Sequence, residues 1–446
     1  MMRVVWAALT LPSLLQAQGA TRPSKPQPTV PFAFADFTWL NGNSRQHTSV
    51  LDSKYFTGEF RVDATYIYDF HRPADHTLVG TSESGRTGEV QVQQLGIGGD
   101  FHAGHARGRF MTQFGMYSTM TPRNDASPAR GQWNLDNAYR YLSEAYGGIH
   151  LDKMHGVNID AGIFMSYVGL FSYYNYDNWA YQPSYVSSNT PWFFNGIRIQ
   201  FFPSDKLKIE PWIINGWQSY GMFNGKPGLG MQVAWRPTGK VSVLSNDYYG
   251  YDWLGLPKRW RVHTDNSLLF KYRDRPTAAI RRAAFSLTLD AGCESGSGVS
   301  CSGGAGGPAQ YFLGFMLYNR LWLKSDQLAF TVGGGAMNNP GRYLVLVPPI
   351  NGANAFSGAP SYFTYNPGDK FSAWDASLTV DVMPDEFVTI RSEVDYRASS
   401  VPYFAGQGGV TPPGGNQGPP GSNVPGFTPD LRKNETRLNF ALLVKL

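Results

Sequence analysis

The sequence predicts an all-β protein, a transmembrane antiparallel up-and-down β-barrel of about sixteen strands with short periplasmic turns and long extracellular loops. Three observations carry this. Aromatic residues make up 15% of the chain and Gly numbers 50, while charged residues reach only 16%, well under the roughly 25% usual for soluble domains. Past the N-terminus no run approaches the ~20 apolar residues needed to cross a bilayer as a helix. A closed barrel is the other shape that satisfies every backbone group in lipid. Finally, segments of about ten residues alternate apolar and polar side chains, the period-two signature of a strand between two environments.

The 446 residues divide into three parts. Residues 1–19 read as a secretory signal: Arg3 is the basic start, Val4 to Leu15 the apolar core and Ala17-Gln18-Gly19 the small-residue cleavage region. Residues 20–54 form a Pro-rich N-terminal segment, of which Thr21 to Pro31 resembles a linker. The barrel occupies 55–446. Losing Arg3 lowers the net charge from +5 to +4, too little to argue for nucleic acid.

Strands are expected near 56–69, 89–102, 106–118, 138–151, 156–167, 192–202, 207–216 and 228–236, then near 240–250, 259–272, 279–292, 310–323, 327–337, 371–383, 386–398 and 433–446. The first sets Phe60, Val62, Ala64, Tyr66 and Tyr68 against Arg61, Asp63 and Thr65. The fifth opposes Val157, Ile159, Ala161, Ile163 and Met165 to Asn158, Asp160 and Ser166. The fourteenth opposes Trp374, Ala376, Leu378, Val380 and Val382 to Asp375, Ser377, Thr379 and Asp381. The last opposes Leu438, Phe440, Leu442, Val444 and Leu446 to Arg437, Asn439 and Lys445. Alternation is weakest over 228–272.

Links between strands alternate in length. Short ones such as Ala103-Gly104-His105, Pro203-Ser204-Asp205 and Pro384-Asp385 separate the long ones, 70–88, 119–137, 168–191, 217–227, 293–309, 338–370 and 399–432. Both chain ends therefore fall on the short-turn side. The Gly/Pro-rich stretch 405–426 is expected to be mobile. A soluble sandwich or propeller also alternates, but Tyr66, Tyr68, Tyr117, Tyr139, Tyr141, Trp235, Trp374 and Tyr396 suit the aromatic girdles of a bilayer interface. Cys293 and Cys301 enclose a Gly/Ser-rich segment, as for a disulfide closing a loop in an oxidising compartment.

Long segments, Thr112 to Gly148, Tyr167 to Gly196, Ile209 to Gly221 and Met337 to Ala353, resemble the OmpL-like β-barrel porin family of bacterial outer membranes over nearly all of the mature chain. The resemblance implies an outer-membrane location and a pore; it supplies no catalytic residue and no substrate. The chain departs from the usual outer-membrane ending, an aromatic residue, by finishing in Leu446.

The face opposite the lipid should line the lumen. It holds Arg107, Arg109, Arg140, Glu144, Asp160, Arg198, Lys208, Glu210, Arg320, Asp375, Asp381, Arg391, Glu393, Asp395, Arg397 and Arg437. A Lys or Arg on the lipid side at the midplane would cost about 2–4 kcal/mol. The ladder Arg391, Glu393, Asp395, Arg397 has two readings, a salt-bridge network bracing the wall or a transverse field that screens solutes. Basic residues outnumber acidic ones in this set, which suggests a mild anion preference.

In barrels of this size the link after the fifth strand often folds inward. Here it crowds Phe171, Tyr173, Tyr174, Tyr176, Trp179, Tyr181 and Tyr185 around one charge, Asp177. The rings either stack on sugar faces at a constriction or pack the loop onto the inner wall.

No GxSxG, HExxH or P-loop occurs, and the glycine clusters at 96–99 and 333–335 have no following helix. His102 with His105, and His71 with His76, lack further ligands at metal spacing. Neither enzyme activity nor a cofactor is expected. The expected partners are outer-membrane lipid, the outer-membrane assembly machinery and small hydrophilic solutes, and a homotrimer is compatible with the pattern. The expected function is passive or weakly selective diffusion of those solutes; the alternative is an occluded structural or adhesive barrel that binds through its long loops.

Overall fold

A computed structural model gives the architecture and describes residues 30–125, 127, 131–222, 224–304, 307–341, 343–344, 346–357 and 370–446. The expected signal sequence and most of the linker behind it lie outside the described residues.

Sixteen antiparallel strands close into one barrel. The first eight are β1 Phe56–Asp69, β2 Val90–Ala103, β3 Ala106–Thr112, β4 Leu142–Leu151, β5 Val157–Met165, β6 Phe193–Ser204, β7 Leu207–Ile214 and β8 Gly228–Thr238. Then follow β9 Val241–Gly250, β10 Trp260–Asp274, β11 Ile280–Ser295, β12 Tyr311–Leu323, β13 Leu328–Asn339, β14 Phe371–Val382, β15 Val388–Ser399 and β18 Asn434–Lys445. A two-stranded hairpin, β16 Phe404–Ala405 with β17 Leu431–Arg432, sits in the last long loop. Closure comes from β1 against β18, in a register running from Arg61↔Lys445 to Asp69↔Arg437.

Each strand forms where its side chains alternate, because the barrel wall has hydrocarbon outside and polar groups inside. Along β14, Trp374, Ala376, Leu378 and Val382 are exposed outward while Asp375, Ser377, Thr379 and Asp381 are buried inward. Register then pairs charges across strands, Asp375↔Arg397 and Asp381↔Arg391. A one-residue slip would turn Arg391 and Arg397 into lipid, which fixes the pairing.

Two expected strands are shorter than their alternation suggested. Gly115, at φ +102°, turns the chain inward after β3, and the continuation becomes the helix α1 Tyr117–Met120. Asn134 caps a second helix, α2 Leu135–Tyr139, accepting the Asn137 N–H at 3.2 Å, so β4 starts only at Leu142. Arg140 consequently lies in the loop at the end of α2 and not on the wall. Tyr117 is buried and Tyr139 sits on α2, so neither belongs to a girdle. Among the other expected girdle residues Tyr66, Tyr141, Trp235 and Trp374 are exposed.

The Gly/Pro-rich final loop, expected to be mobile, is tied down at its base. Its Ala405 and Val410 join a buried cluster with Tyr343, Ile350, Phe371 and Tyr403. The Asp75 carboxylate accepts the N–H groups of Val410 and Thr411 at 2.9 and 2.8 Å. Cys293, at the end of β11, and Cys301 are joined by a disulfide.

The chain ahead of β1 does not hang free. From Phe32 to Gln46 it crosses the short-turn mouth as a strap. Trp39 is fully buried against Leu269 and Ala284 of the wall, and its Nε1–H donates to the Gly239 carbonyl at 3.2 Å. Arg45 donates to the carbonyls of Asp385 and Val388 at 2.7 and 2.6 Å, and Gln46 to that of Lys445 at 2.8 Å. The strap thus spans turns on three sides of the mouth.

Candidate functional site

The interior is divided by the link between β5 and β6, which folds inward and carries the helix α3 Tyr185–Ser188. Locally a two-way clasp shapes it: Asn178 accepts the Ser172 N–H and donates to the Ser172 carbonyl, both at 2.8 Å. Its seat is the wall of β12, β14 and β15. Arg391 donates to the carbonyls of Asn175, Ala180 and Asn178 at 3.1, 3.0 and 2.6 Å, while Asp381 holds the same guanidinium at 2.6 Å. Arg320 donates to the Trp179 carbonyl at 3.1 Å. Glu393 accepts the N–H groups of Tyr181 and Gln182 at 2.6 and 2.8 Å, and Asp375 accepts those of Tyr185 and Gly335.

Arg391, Glu393, Asp395 and Arg397 therefore face inward without lining open space: none is more than 3% exposed. Arg397 lies over the Tyr185 ring at 4.4 Å and pairs with Glu435 at 3.5 Å; Asp395 lies 3.4 Å from Arg437. The expectation that this ladder lines a pore is corrected, since the loop covers it. Most rings of the loop have the same fate. Tyr181 bonds Asp63 at 3.1 Å, Trp179 packs edge-on to Trp322 at 5.6 Å, and Tyr176 donates to the Glu386 carbonyl. They fasten the loop and offer no face to a solute.

The strap completes this plug. Asn41 Oδ1 accepts the Trp179 N–H at 2.7 Å, and the Gly42 N–H donates to the Asp177 carbonyl at 3.1 Å. Gly42 sits at φ +79° with the Leu170 carbonyl 2.4 Å from where a Cβ would be, so only glycine allows this approach.

On the other side, between the loop and the wall of β1 to β8, a cavity of about 620 Å³ remains. Arg109, Glu144, Arg198, Lys208, Glu210, Tyr173, Tyr174 and Asp177 border it. Arg109 is held by three carboxylates, Asp100 at 2.8 Å and Glu59 and Glu144 at 3.0 Å. Arg61 pairs with Glu59 and, at 3.0 Å, with Asp177. Arg198 pairs with Asp160 at 3.0 Å and stacks over Tyr146 and Phe164 at 4.5 and 4.6 Å; Lys208 pairs with Glu210 at 2.9 Å. Arg107 lies 3.4 Å from Asp160 but does not border the cavity. Tyr174 donates to Glu144 at 2.7 Å, and Tyr173 to Gln113 at 2.7 Å.

Toward the long loops the cavity ends at a layer of rings. Tyr167 stacks on Trp212 and Phe194 at 4.9 and 5.1 Å, and Phe164 and Tyr248 complete the buried cluster. Toward the short turns it adjoins a second cavity of about 450 Å³ bordered by the strap. Sequence reasoning missed the strap and the wall residues Glu59, Asp100 and Arg236. The first two stand on inward rows that alternation marks. Arg236 ends a strand whose alternation is weak, and no period marks the strap.

The sequence profile described as "Putative beta-barrel porin-2, OmpL-like" matches residues 56–418. The chain belongs to this family. Among solved structures it is similar to OprB of Pseudomonas putida, at 10% identity and TM-score 0.51, covering 88% of this chain and 94% of that one. It is also similar to OmpT, an outer membrane protein of Vibrio cholerae, at 9% identity and TM-score 0.47, covering 90% and 100%. A third is the outer membrane channel DcaP of Acinetobacter baumannii, at 12% identity and TM-score 0.46, covering 88% and 96%. No curated protein matches the chain by sequence. The protein is a porin-like β-barrel of the bacterial outer membrane, so its short turns face the periplasm and its long loops the outside.

Proposed function

We propose that the barrel conducts small hydrophilic solutes by diffusion, along the side of the lumen between the inward loop and the wall of β1 to β8. One observation carries this reading. The interior is packed where the loop sits, yet a cavity of about 620 Å³ bordered by ion pairs and amides persists on the opposite side, where a fold that only needed filling would have placed apolar side chains. Charges paired with one another leave a nearly neutral, strongly hydrogen-bonding surface, which suits water and small polar solutes. The ring layer of Phe164, Tyr167, Phe194 and Trp212 is the barrier on the outer side, and conduction requires it to part. Channel work of this kind calls for no catalytic residue and no cofactor. Delivery by the outer-membrane assembly machinery and association into a trimer belong to the same proposal.

Single-channel recording of refolded protein in planar bilayers tests it. Discrete open steps, enlarged in Trp212→Ala, are expected. The buried cluster of loop residues over β12 to β15 favours a second reading, an occluded barrel that binds outside partners. Silence from both wild type and Trp212→Ala would leave only that reading.

A further inference from the structure

Four of the five cations that border the cavity are neutralised: Arg61, Arg109, Arg198 and Lys208 each have a carboxylate oxygen within 3.0 Å. The fifth is not. Arg236, near the periplasmic end of β8, has no carboxylate within ion-pair distance among the described residues, and its buried Nε–H has no acceptor. The strap holds this guanidinium in place, with Phe32 4.5 Å and Phe37 4.8 Å from it. Arg236 borders both the 620 Å³ cavity and the 450 Å³ cavity below it, so it stands at the passage between them. Asp177 also borders both cavities, but it is engaged by Arg61 at 3.0 Å and Lys445 at 3.8 Å.

A guanidinium whose faces rest on rings keeps its N–H edges for hydrogen bonding, and a planar fork of donors matches the paired oxygens of an oxyanion. Ring contact also strips water from the cation, which strengthens its pull on a partner. We propose that Arg236, clamped by Phe32 and Phe37, forms an anion-binding site at the periplasmic entrance to the cavity that takes small carboxylate- or phosphate-bearing solutes. The site rests on the channel reading for its transport role. For its existence it rests only on the strap and β8.

The test uses the full mature chain, refolded, with inorganic phosphate as the probe. Isothermal titration in detergent is expected to show phosphate binding to wild type that weakens at least tenfold in Arg236→Gln and in Phe32→Leu/Phe37→Leu, while Arg236→Lys keeps the charge but loses part of the affinity. In bilayers under a potassium chloride gradient, wild type should reverse on the anion side, and Arg236→Gln should move the reversal potential toward the cation side. Equal phosphate affinity in wild type and Arg236→Gln, or no binding by wild type, overturns the site. Absence of conductance with binding intact overturns the channel reading alone. Retained heat-modifiable gel mobility shows that each variant is folded.

Discussion

Two arcs of one wall turn the same residue types inward, and the cavity of about 620 Å³ lies beside one of them. On β12 to β15 the charges grip a loop: Arg391 spends one face on Asp381 and the rest on three backbone carbonyls. On β1 to β8 the charges beside the cavity chiefly grip each other: Arg109 is encircled by Glu59, Asp100 and Glu144, and it is at β1 that Arg61 and Asp63 reach the loop. Inward charge by itself therefore does not mark a pore. What matters is whether the pairs along the wall satisfy the charges, or whether, as at Arg391, donors left over after the neighbouring-strand pair must be met by a segment that enters the lumen.

The largest expected effect breaks the seat of the plug. Arg391→Ala leaves three carbonyls without their donor in a dry interior and Asp381 with Arg320 alone, at 2.7 Å, a loss on the order of 3–5 kcal/mol given about 1.5–3 kcal/mol for each hydrogen bond to a charged group. The loop should lift, conductance should rise several-fold, and thermal unfolding in detergent should move down. Arg109→Ala, facing the cavity, lets water replace the lost donors, so its unfolding shift should be much smaller and its main signature a changed reversal potential. Equal unfolding shifts in the two variants would erase the distinction between the arcs.

The strap should matter next. Trp39→Ala removes a fully buried indole, a change that costs about 3–5 kcal/mol in a well-packed core. The loop loses packing as well, since Phe171 and Trp179 share the Trp39 cluster, but Arg391 and Glu393 still hold it in its seat. Residues 30–54 should become open to added protease, and conductance should rise less than in Arg391→Ala. Protection equal to wild type would mean that the Arg45 and Gln46 contacts suffice.

These contrasts also show what a sequence can disclose. All sixteen barrel strands were legible because each must repeat every second residue against lipid, and a repeat is a local signal. β14 is the clearest case, with four carboxylate or hydroxyl residues opposed to five apolar ones. The ends of β3 and β4 were not legible, because Gly115 and the Asn134 cap override alternation by backbone geometry. The role of Arg391 was hidden for another reason. Its partners are carbonyls more than 200 residues away, and every residue has a carbonyl. Trp39 was invisible in the same way, since a single buried ring in a segment without period leaves no pattern.

A smaller effect probes the boundary between plug and cavity. Tyr174 donates to Glu144 at 2.7 Å and lies under the Arg61 guanidinium at 4.1 Å. Tyr174→Phe keeps the ring and deletes a hydrogen bond to a charged group, worth about 1.5–3 kcal/mol. The loop should stay seated with conductance near wild type, while Glu144, still paired with Arg109 at 3.0 Å but short of one donor, should draw cations more strongly and shift the reversal potential slightly. An enlarged conductance would show that the phenol, and not the wall of β14 and β15, holds the loop.

The smallest effect lies outside the membrane, where the loop ahead of β4 meets the loop after β7. Asp125 accepts the Ser127 hydroxyl and N–H at 2.7 and 2.9 Å and, from the other loop, the Ser219 hydroxyl at 3.2 Å. Burial pushes its carboxyl up to about 6, against the opposing pull of these bonds. An acid whose value is raised by docking favours the docked state while protonated. The contribution is complete below its ordinary value of 3.8 and disappears as pH climbs through about 6. The two loops should hold together more firmly at pH 4.5 than at pH 7.5, by at most about 1–2 kcal/mol given 1.36 kcal/mol per unit. Hydrogen exchange at the Tyr220 and Gly221 amides, corrected for the intrinsic pH dependence, reads this directly. Asp125→Asn, neutral throughout, should flatten the profile, and a variant that kept the wild-type slope would place the titrating group elsewhere.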